Sequence, residues 1–360
     1  MTSGLLPILF FVLSLAVVIP AFFSWGWMLK LTVIEWGHWL GLACLGLSLI
    51  SLALRRPAFS HGLVYFIAAF LFFLPLIDVM TRDMSSADKT ALLDFFFPEK
   101  VPDAKKSTIP FQKSGLDLPI DFYSGVGPGT PRPLVIMIYG GSWTKGERTD
   151  LSELNYFLAN AGFNVAAVTY RLAPAVHFPG PIEDVSAATD FLIENSATWN
   201  IDPARIYFMG RSAGGQIAEL AALSAVKKGN SVKGIISLYA PADLIWGVEI
   251  TSPWQIINGE VTIGSYLGVH LDDTSRKLYE AASPVFQVDH QTPRHLLIHG
   301  ISDELVSIYH SRKLTARLRD LGRPVALEEL RWATHGFDYF YQSPNSTFLR
   351  KRVLRFLAED

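Results

Sequence analysis

The stretch Ile206-Tyr207-Phe208-Met209-Gly210-Arg211-Ser212-Ala213-Gly214-Gly215 constrains this chain more than any other. A short, β-rich apolar run ends in Gly-x-Ser-x-Gly and leads directly into a helical pattern over residues 216–226. A strand and a helix this close together require a sharp turn. Small residues at Gly210 and Gly214 let the backbone make it without side-chain clashes. Such a turn lifts the Ser212 hydroxyl above the end of a sheet, at the positive end of the following helix.

The sequence around this turn alternates in the same way. Apolar strands are predicted at 134–139, 164–170, 205–209, 232–239, 295–299 and 325–330, with helices at 151–160, 182–194, 306–321 and 346–358. Strands that are apolar throughout and alternate with helices specify an α/β fold, with a mostly parallel sheet covered on both faces. Ligands in such sheets bind at the carboxyl ends of the strands, which is where Ser212 falls. Ile245 to Leu278, with Trp246, Trp254 and Tyr266, interrupts the alternation. A stretch of that length reads as a lid, a pocket wall or packing helices.

The first eighty residues are of another kind. Three runs without Lys, Arg, Asp or Glu, at about 5–27, 36–54 and 61–77, each approach the roughly 20 residues that cross a bilayer core, the third span being taken as 61–78. Lys30 and Glu35 separate the first two, flanked by Trp25, Trp27, Trp36 and Trp39 in the manner of an interfacial aromatic belt. Arg55, Arg56 and Pro57 separate the second from the third, and Asp78, Arg82 and Asp83 close it. A signal peptide would open with basic residues, and Met1 to Pro7 has none. A soluble core can bury one such helix but not three in succession. Residues 1–80 are therefore expected to form an all-α transmembrane segment of about three helices, or two if the first hairpin is re-entrant around Pro20. The lipid bilayer becomes a partner and the protein multi-pass. Arg55 and Arg56 place their loop in the cytoplasm and the C-terminal domain outside, whereas Arg82 and Lys89 argue the reverse; the reading leans outward. Gly37 and Gly41 have the spacing that lets two helices approach closely. Residues 81–117 read as a juxtamembrane linker. Its cluster from Leu92 to Pro98 is either a helix packed on the membrane or the domain, or a lid. Residues 118–360 form the α/β domain.

Composition narrows the functional classes. Charged residues make up 18% of the chain, against about 25% in ordinary soluble proteins, and the deficit lies in the N-terminal runs. A net charge of −2 offers no basic surface for nucleic acid. One cysteine, Cys44, excludes an intrachain disulfide and a thiolate zinc cluster. No metal or cofactor is expected.

A serine nucleophile needs a base, an orienting carboxylate and an oxyanion hole. In a sheet of this kind they follow in the order Ser, Asp or Glu, His. Only His310 and His335 follow a carboxylate placed just after the strand ending at His299, and His310 falls inside a helical run. His335, in Trp332-Ala333-Thr334-His335-Gly336-Phe337, is the base by elimination. Asp303 is the first carboxylate after that strand and Glu304 the runner-up. Asp303 also suits capping of the next helix. Backbone N–H groups of Ala213 and the Gly140-Gly141 loop are the expected oxyanion donors. Arg171 is expected to pair with Asp184 or Glu183 as scaffold. Asn345-Ser346-Thr347 has the glycosylation pattern.

From Leu118 onward the domain resembles the α/β-hydrolase esterases of the hormone-sensitive-lipase and acetyl-esterase (BD-FAE-like) group. The resemblance rests on Tyr139-Gly140-Gly141-Ser142-Trp143, Tyr170-Arg171-Leu172-Ala173-Pro174, Glu183-Asp184, Asp202-Pro203-Ala204-Arg205-Ile206, the Ser212 turn, Ala282-Ser283-Pro284, and the loops at Asp303 and His335. It implies Ser212, Asp303 and His335 as the triad, with Gly140, Gly141 and Ala213 as oxyanion donors. The family's His-Gly-Gly-Gly reads Tyr139-Gly140-Gly141-Ser142 here, a change in loop shape that argues against a lipase. The expected activity is hydrolysis of small or medium acyl esters by a membrane-anchored serine esterase. Amide or formamide hydrolysis and acyl transfer use the same triad. A catalytically silent, membrane-tethered binding module is the non-enzymatic alternative.

Overall fold

Pro20 divides the N-terminal region. In the computed structural model, which describes residues 5–54, 58–83, 92–97, 100–101, 104–128, 131–250 and 256–359, helix α1 (Leu5–Ser14) tightens into a 3-10 turn at Leu15–Val17. The chain then leaves helix ahead of Pro20, whose ring and missing N–H do not allow it to continue. The stretch Leu5–Val17 rises about 20 Å, short of the roughly 30 Å hydrocarbon core. Among the described residues, helices α2 (Ser24–Ala53) and α3 (Ala58–Asp83) are the two that are long and apolar enough to cross a membrane.

The break therefore lies at residues 18–23 rather than at 28–35, and the expected first span, 5–27, is not one helix. Lys30 and Glu35 lie inside α2 instead of in a loop, 3% and 0% exposed. The C-terminal domain supplies a partner to each: Lys30 pairs with Glu304, and Glu35 accepts a hydrogen bond from Asn345 Nδ2 at 2.7 Å. A buried polar group so partnered does not need a loop in water. Trp27 and Trp36 also face the domain, at the His335 carbonyl and the Phe340 ring, while Trp25 is 70% exposed. Gly37 and Gly41 lie where α2 crosses α3. A methyl group on Gly41 would stand 2.9 Å from the Phe73 ring, and one on Gly37 3.3 Å from Phe72. Helix α4 (Leu92–Phe96) packs rather than hangs free. Phe95 is buried with Leu76 and Val79 of α3, and Phe96 meets the His38 and Trp39 rings edge-on. Pro98 lies outside the described residues.

The sheet has eight strands in the order β1-β4-β6-β5-β7-β8-β9-β10. Strands β5 (Arg132–Ile138), β6 (Asn164–Ala167), β7 (Ile201–Arg211), β8 (Val232–Leu238), β9 (Arg294–Gly300) and β10 (Val325–Leu330) run parallel. They correspond to the six expected from the apolar runs. Strands β1 (Lys106–Ile109) and β4 (Ile120–Tyr123) add an antiparallel edge. Each is too short to show an alternation in sequence, and β1 brings part of the expected linker into the sheet. A two-residue hairpin, β2 (Gln112–Lys113) and β3 (Leu116–Asp117), stands apart.

Alternate residues of the central strands enter two different cores. Ile136, Ile138 and Phe208 pack with α6 (Gly180–Glu194) and α7 (Ala213–Lys227) on one face. Val135, Met137, Tyr207 and Met209 pack with α5 (Glu153–Asn160), α13 (Pro344–Ala358) and the end of α3 on the other. Between β8 and β9 the chain forms α8 (Leu244–Glu249), α9 (Gly259–Leu267), α10 (Arg276–Ala281) and α11 (Pro284–Gln287) above the carboxyl ends of the strands. Tyr266 of α9 is buried and stacks on Trp143 at 4.5 Å. Trp254 lies outside the described residues. Helix α12 (Tyr309–Asp320) connects β9 to β10.

Arg171 pairs with Asp184, not Glu183, through two 2.7 Å contacts, and Lys113 adds a third at 2.9 Å. The glycosylation pattern at Asn345 is not available for modification, because the Asn345 amide is buried and bonded to Glu35.

Candidate active site

Strand β7 ends at Arg211 and α7 begins at Ala213, so Ser212 alone makes the turn, with φ 51° and ψ −125°. Left-handed backbone at a serine is strained and persists only where neighbours hold it. Here Ser212 N–H donates to the Leu238 carbonyl at 2.9 Å. The flanking glycines are required by close approach: a Cβ on Gly210 would fall 2.1 Å from the Gly214 carbonyl, and one on Gly214 2.0 Å from that of Tyr139.

The loops after β9 and β10 bring their side chains to this turn. His335 Nε2 lies 2.9 Å from Ser212 Oγ, and His335 Nδ1 lies 2.8 Å from Asp303 Oδ2. With its Nδ1–H held by the carboxylate, the ring presents Nε2 as an acceptor to the serine hydroxyl. Asp303 serves two purposes at once. Its Oδ1 accepts the Leu305 and Val306 N–H groups at 2.9 and 2.8 Å, capping the local turn, while Oδ2 faces His335. His299 Nε2 stands 3.3 Å from the same Oδ2, a neighbour the sequence did not signal. Burial pushes the Asp303 carboxyl up, but the His335 and His299 rings more than offset this and hold it well below the usual carboxylate range.

A second buried cluster lies behind His335. Arg211 Nε donates to Asp338 Oδ2 at 2.6 Å and the Tyr239 hydroxyl to Asp338 Oδ1, joining the residue before Ser212 to the loop after His335. The Tyr239 ring meets the His335 ring edge-on, with centroids 4.6 Å apart. His310, set aside as a base, is buried at the start of α12. Its Nδ1 accepts the Ala242 and Asp243 N–H groups, and burial lowers its pKa to about 3.

Gly140 and Gly141 follow β5 and lie against the serine turn. A Cβ on Gly140 would come within 2.8 Å of the Arg211 carbonyl and 3.2 Å of Ser212 Cβ. Gly141 has φ +122°, open to glycine, and a Cβ there would meet the Lys145 carbonyl at 2.1 Å. Ala213 opens α7, and N–H groups of a first helical turn have no partner within the helix.

Ser212 lies where two cavities meet. One, of about 530 Å³, extends under α8 and α9; the other, of about 700 Å³, extends past Gly140 and Gly141 toward Lys145 and Asp150. The N-terminal region reaches both. Pro20, Ala21 and Phe22 line the first and Trp27 the second. Ala21 N–H and Lys30 Nζ donate to Glu304 Oε1, Thr334 Oγ1 donates to Glu304 Oε2 at 2.6 Å, and Trp27 Nε1 donates to the His335 carbonyl at 3.2 Å. Glu304, the runner-up for the orienting carboxylate, thus faces away from His335 and receives the N-terminal segment instead.

A mostly parallel sheet with a serine at a strand-to-helix turn, and aspartate and histidine reaching it from later loops in that order, defines the α/β-hydrolase fold. Within that class, the BD-FAE family model matches residues 120–318, and the chain belongs to that family. Esterase LipQ of Mycobacterium tuberculosis is 30% identical over 254 residues, 67% of this chain and 59% of that protein. The isoprenylcysteine alpha-carbonyl methylesterase ICME of Arabidopsis thaliana is 27% identical over 238 residues, 62% of this chain and 55% of the relative. The chain thus spans a little over half the length of the curated relatives it matches. Among solved structures, a bacterial heroin esterase superposes with a TM-score of 0.60 at 25% identity, over 71% of this chain and 83% of its own. An arylesterase gives a TM-score of 0.61 at 21% identity over the same shares, a likeness of fold.

Proposed function

We propose that the chain is a membrane-anchored serine carboxylester hydrolase acting on small or medium acyl esters. Ser212 Oγ attacks the ester carbonyl while His335 Nε2 takes its proton and then gives it to the departing alcohol. Asp303 orients the imidazole and stabilises its charged form. The N–H groups of Gly140, Gly141 and Ala213 receive the oxyanion, each such donor being worth about 3–4 kcal/mol to the transition state. Water, activated by the same histidine, then releases the acid from the acyl-enzyme.

The observation that carries this reading is the continuous chain Ser212–His335–Asp303 at 2.9 and 2.8 Å. The esterase names of the relatives agree with it. Ser212→Ala is expected to lower turnover of a short-chain p-nitrophenyl ester by several orders of magnitude; undiminished turnover overturns the assignment.

Helices α2 and α3 are read as the membrane anchor on their length and apolar character. The start of α2 and the end of α3 both touch the hydrolase domain, through Lys30 to Glu304 and Asp78 Oδ2 to Arg331 N–H. Both ends on the domain side leave the opposite ends of the two helices, where the sequence carries Arg55 and Arg56, across the bilayer; basic residues there favour the cytoplasm and an extracytoplasmic domain. Alkaline phosphatase fused after residue 56 tests this: an inactive fusion agrees, an active one reverses the orientation.

A further inference from the structure

We infer that the Pro20–Phe22 segment is a wall of the ester site, and that the site is built for amphiphilic esters whose apolar arm comes from the bilayer. The inference rests on the hydrolase reading above and names its substrate class.

The two cavities that meet at Ser212 are both mostly apolar with polar groups among their lining, but they are lined by different residues. The one of about 530 Å³ runs from Ser212 between Ala21 and Phe22 on one side and Ile250, Ile257 and Ile263 on the other. Its volume is that of a pocket for a small molecule. The one of about 700 Å³ is bordered by Lys145, Glu147 and Asp150 together with Trp27, Tyr139 and Tyr339. An ester centred on Ser212 would place one arm beside Phe22 and the isoleucines and the other beside Lys145, Glu147 and Asp150.

The wall is fixed to the catalytic loops rather than laid over them. Glu304 follows Asp303 directly and takes the Ala21 N–H and the Lys30 ammonium on one oxygen. Its other oxygen takes Thr334, the residue before His335. Trp27 donates to the His335 carbonyl itself. The wall, the acid loop and the base loop therefore hold one register.

The outer face of the wall is unsuited to water. Ile19, Phe22, Phe23 and Trp25 are 47%, 59%, 45% and 70% exposed, the first three just ahead of α2 and Trp25 in its first turn. Aromatic and apolar groups at the end of a membrane helix sit at headgroup depth. The mouth of the apolar cavity then opens where an amphiphile carries its ester, between hydrocarbon and water.

The test uses full-length protein in nanodiscs and p-nitrophenyl esters from acetate to laurate, on wild type, Ala21→Trp and Phe22→Ser. Ala21→Trp fills the apolar cavity; Phe22→Ser alters an exposed side chain and leaves the fold intact. Laurate kcat/KM is expected to exceed that of acetate in wild type, and the laurate-to-acetate ratio to fall about tenfold or more in both variants, the scale of losing a methylene or two of pocket contact. A wild type that cleaves acetate, with a ratio unmoved in both variants, overturns the wall while leaving the hydrolase standing. A folded wild type that cleaves no ester overturns both.

Discussion

Lys30 and Glu304 stand 274 residues apart and form an ion pair that joins an apolar helix to the loop carrying Asp303. Their side chains are 3% and 14% exposed, so both have little access to water. Removing one member of a buried pair strands the other charge. Lys30→Met is expected to destabilise the protein by about 2–4 kcal/mol, read as a lowered thermal midpoint in detergent. Lys30→Met combined with Glu304→Gln should recover part of that loss, since no charge is then stranded. A double variant no more stable than the single one contradicts the pairing.

The Arg211–Asp338–Tyr239 cluster yields a second expectation. Asp338→Ala leaves the Arg211 guanidinium buried without its carboxylate, at a cost of about 3–5 kcal/mol. It also releases the Tyr239 hydroxyl, whose ring supports His335. Stability and ester turnover should fall together, as measured by thermal melting and initial rates. Full activity with an unchanged midpoint would show that the cluster supports neither.

Acid stability follows from three buried carboxylates. Asp303, Asp184 and Asp121 are all held below the ordinary value of 3.8. In each, burial pushes the pKa up and hydrogen-bonded or charged partners outweigh it: His335 and His299 for Asp303, Arg171 and Lys113 for Asp184, Lys106, Thr108 and Arg148 for Asp121. A carboxylate whose folded pKa is depressed contributes stability that is fully present above its unfolded pKa and lost as pH falls through the folded one. The Asp184 and Asp121 contributions, owed to lysine and arginine partners that stay charged, are thus constant from pH 5 to 8 and decline below about 4. Melting curves across pH 2–8 should show this, with a shallower acid limb in Asp184→Asn. An acid limb as steep as in the wild type removes Asp184 from the account.

The loop at Gly141 gives a catalytic expectation. With φ at +122° and the Lys145 carbonyl 2.1 Å from any Cβ, Gly141→Ala must displace the loop. An N–H moved off the oxyanion lowers kcat by about 10²–10³-fold. Steady-state kinetics with a short-chain ester measures it, and a kcat within twofold of wild type excludes this loop from the oxyanion hole.

Much of the site was legible because it depends on local pattern and chain order. The turn at Ser212 is written in Gly210 and Gly214, which no larger residue can replace. Asp303 and His335 each follow a continuous apolar strand. The N-terminal region was misdivided for a physical reason. Lys30 and Glu35 looked like loop residues because a charge in an apolar run usually marks water. Their partners, Glu304 and Asn345, lie some three hundred residues away, and no periodicity reports such a contact. For the same reason Glu304 read as a spare acid. Strands β1 and β4 escaped notice because four residues are too few to establish a period.

Ser212 is proposed as a nucleophile activated by His335. Full-length protein in detergent, treated with a fluorophosphonate and digested for mass spectrometry, tests it most directly. The account predicts an adduct on the peptide containing Ser212 in the wild type and its loss in Ser212→Ala, with labelling slowed by orders of magnitude in His335→Gln. A folded wild type that stays unlabelled at Ser212, or a His335→Gln variant labelled as fast as wild type, contradicts it.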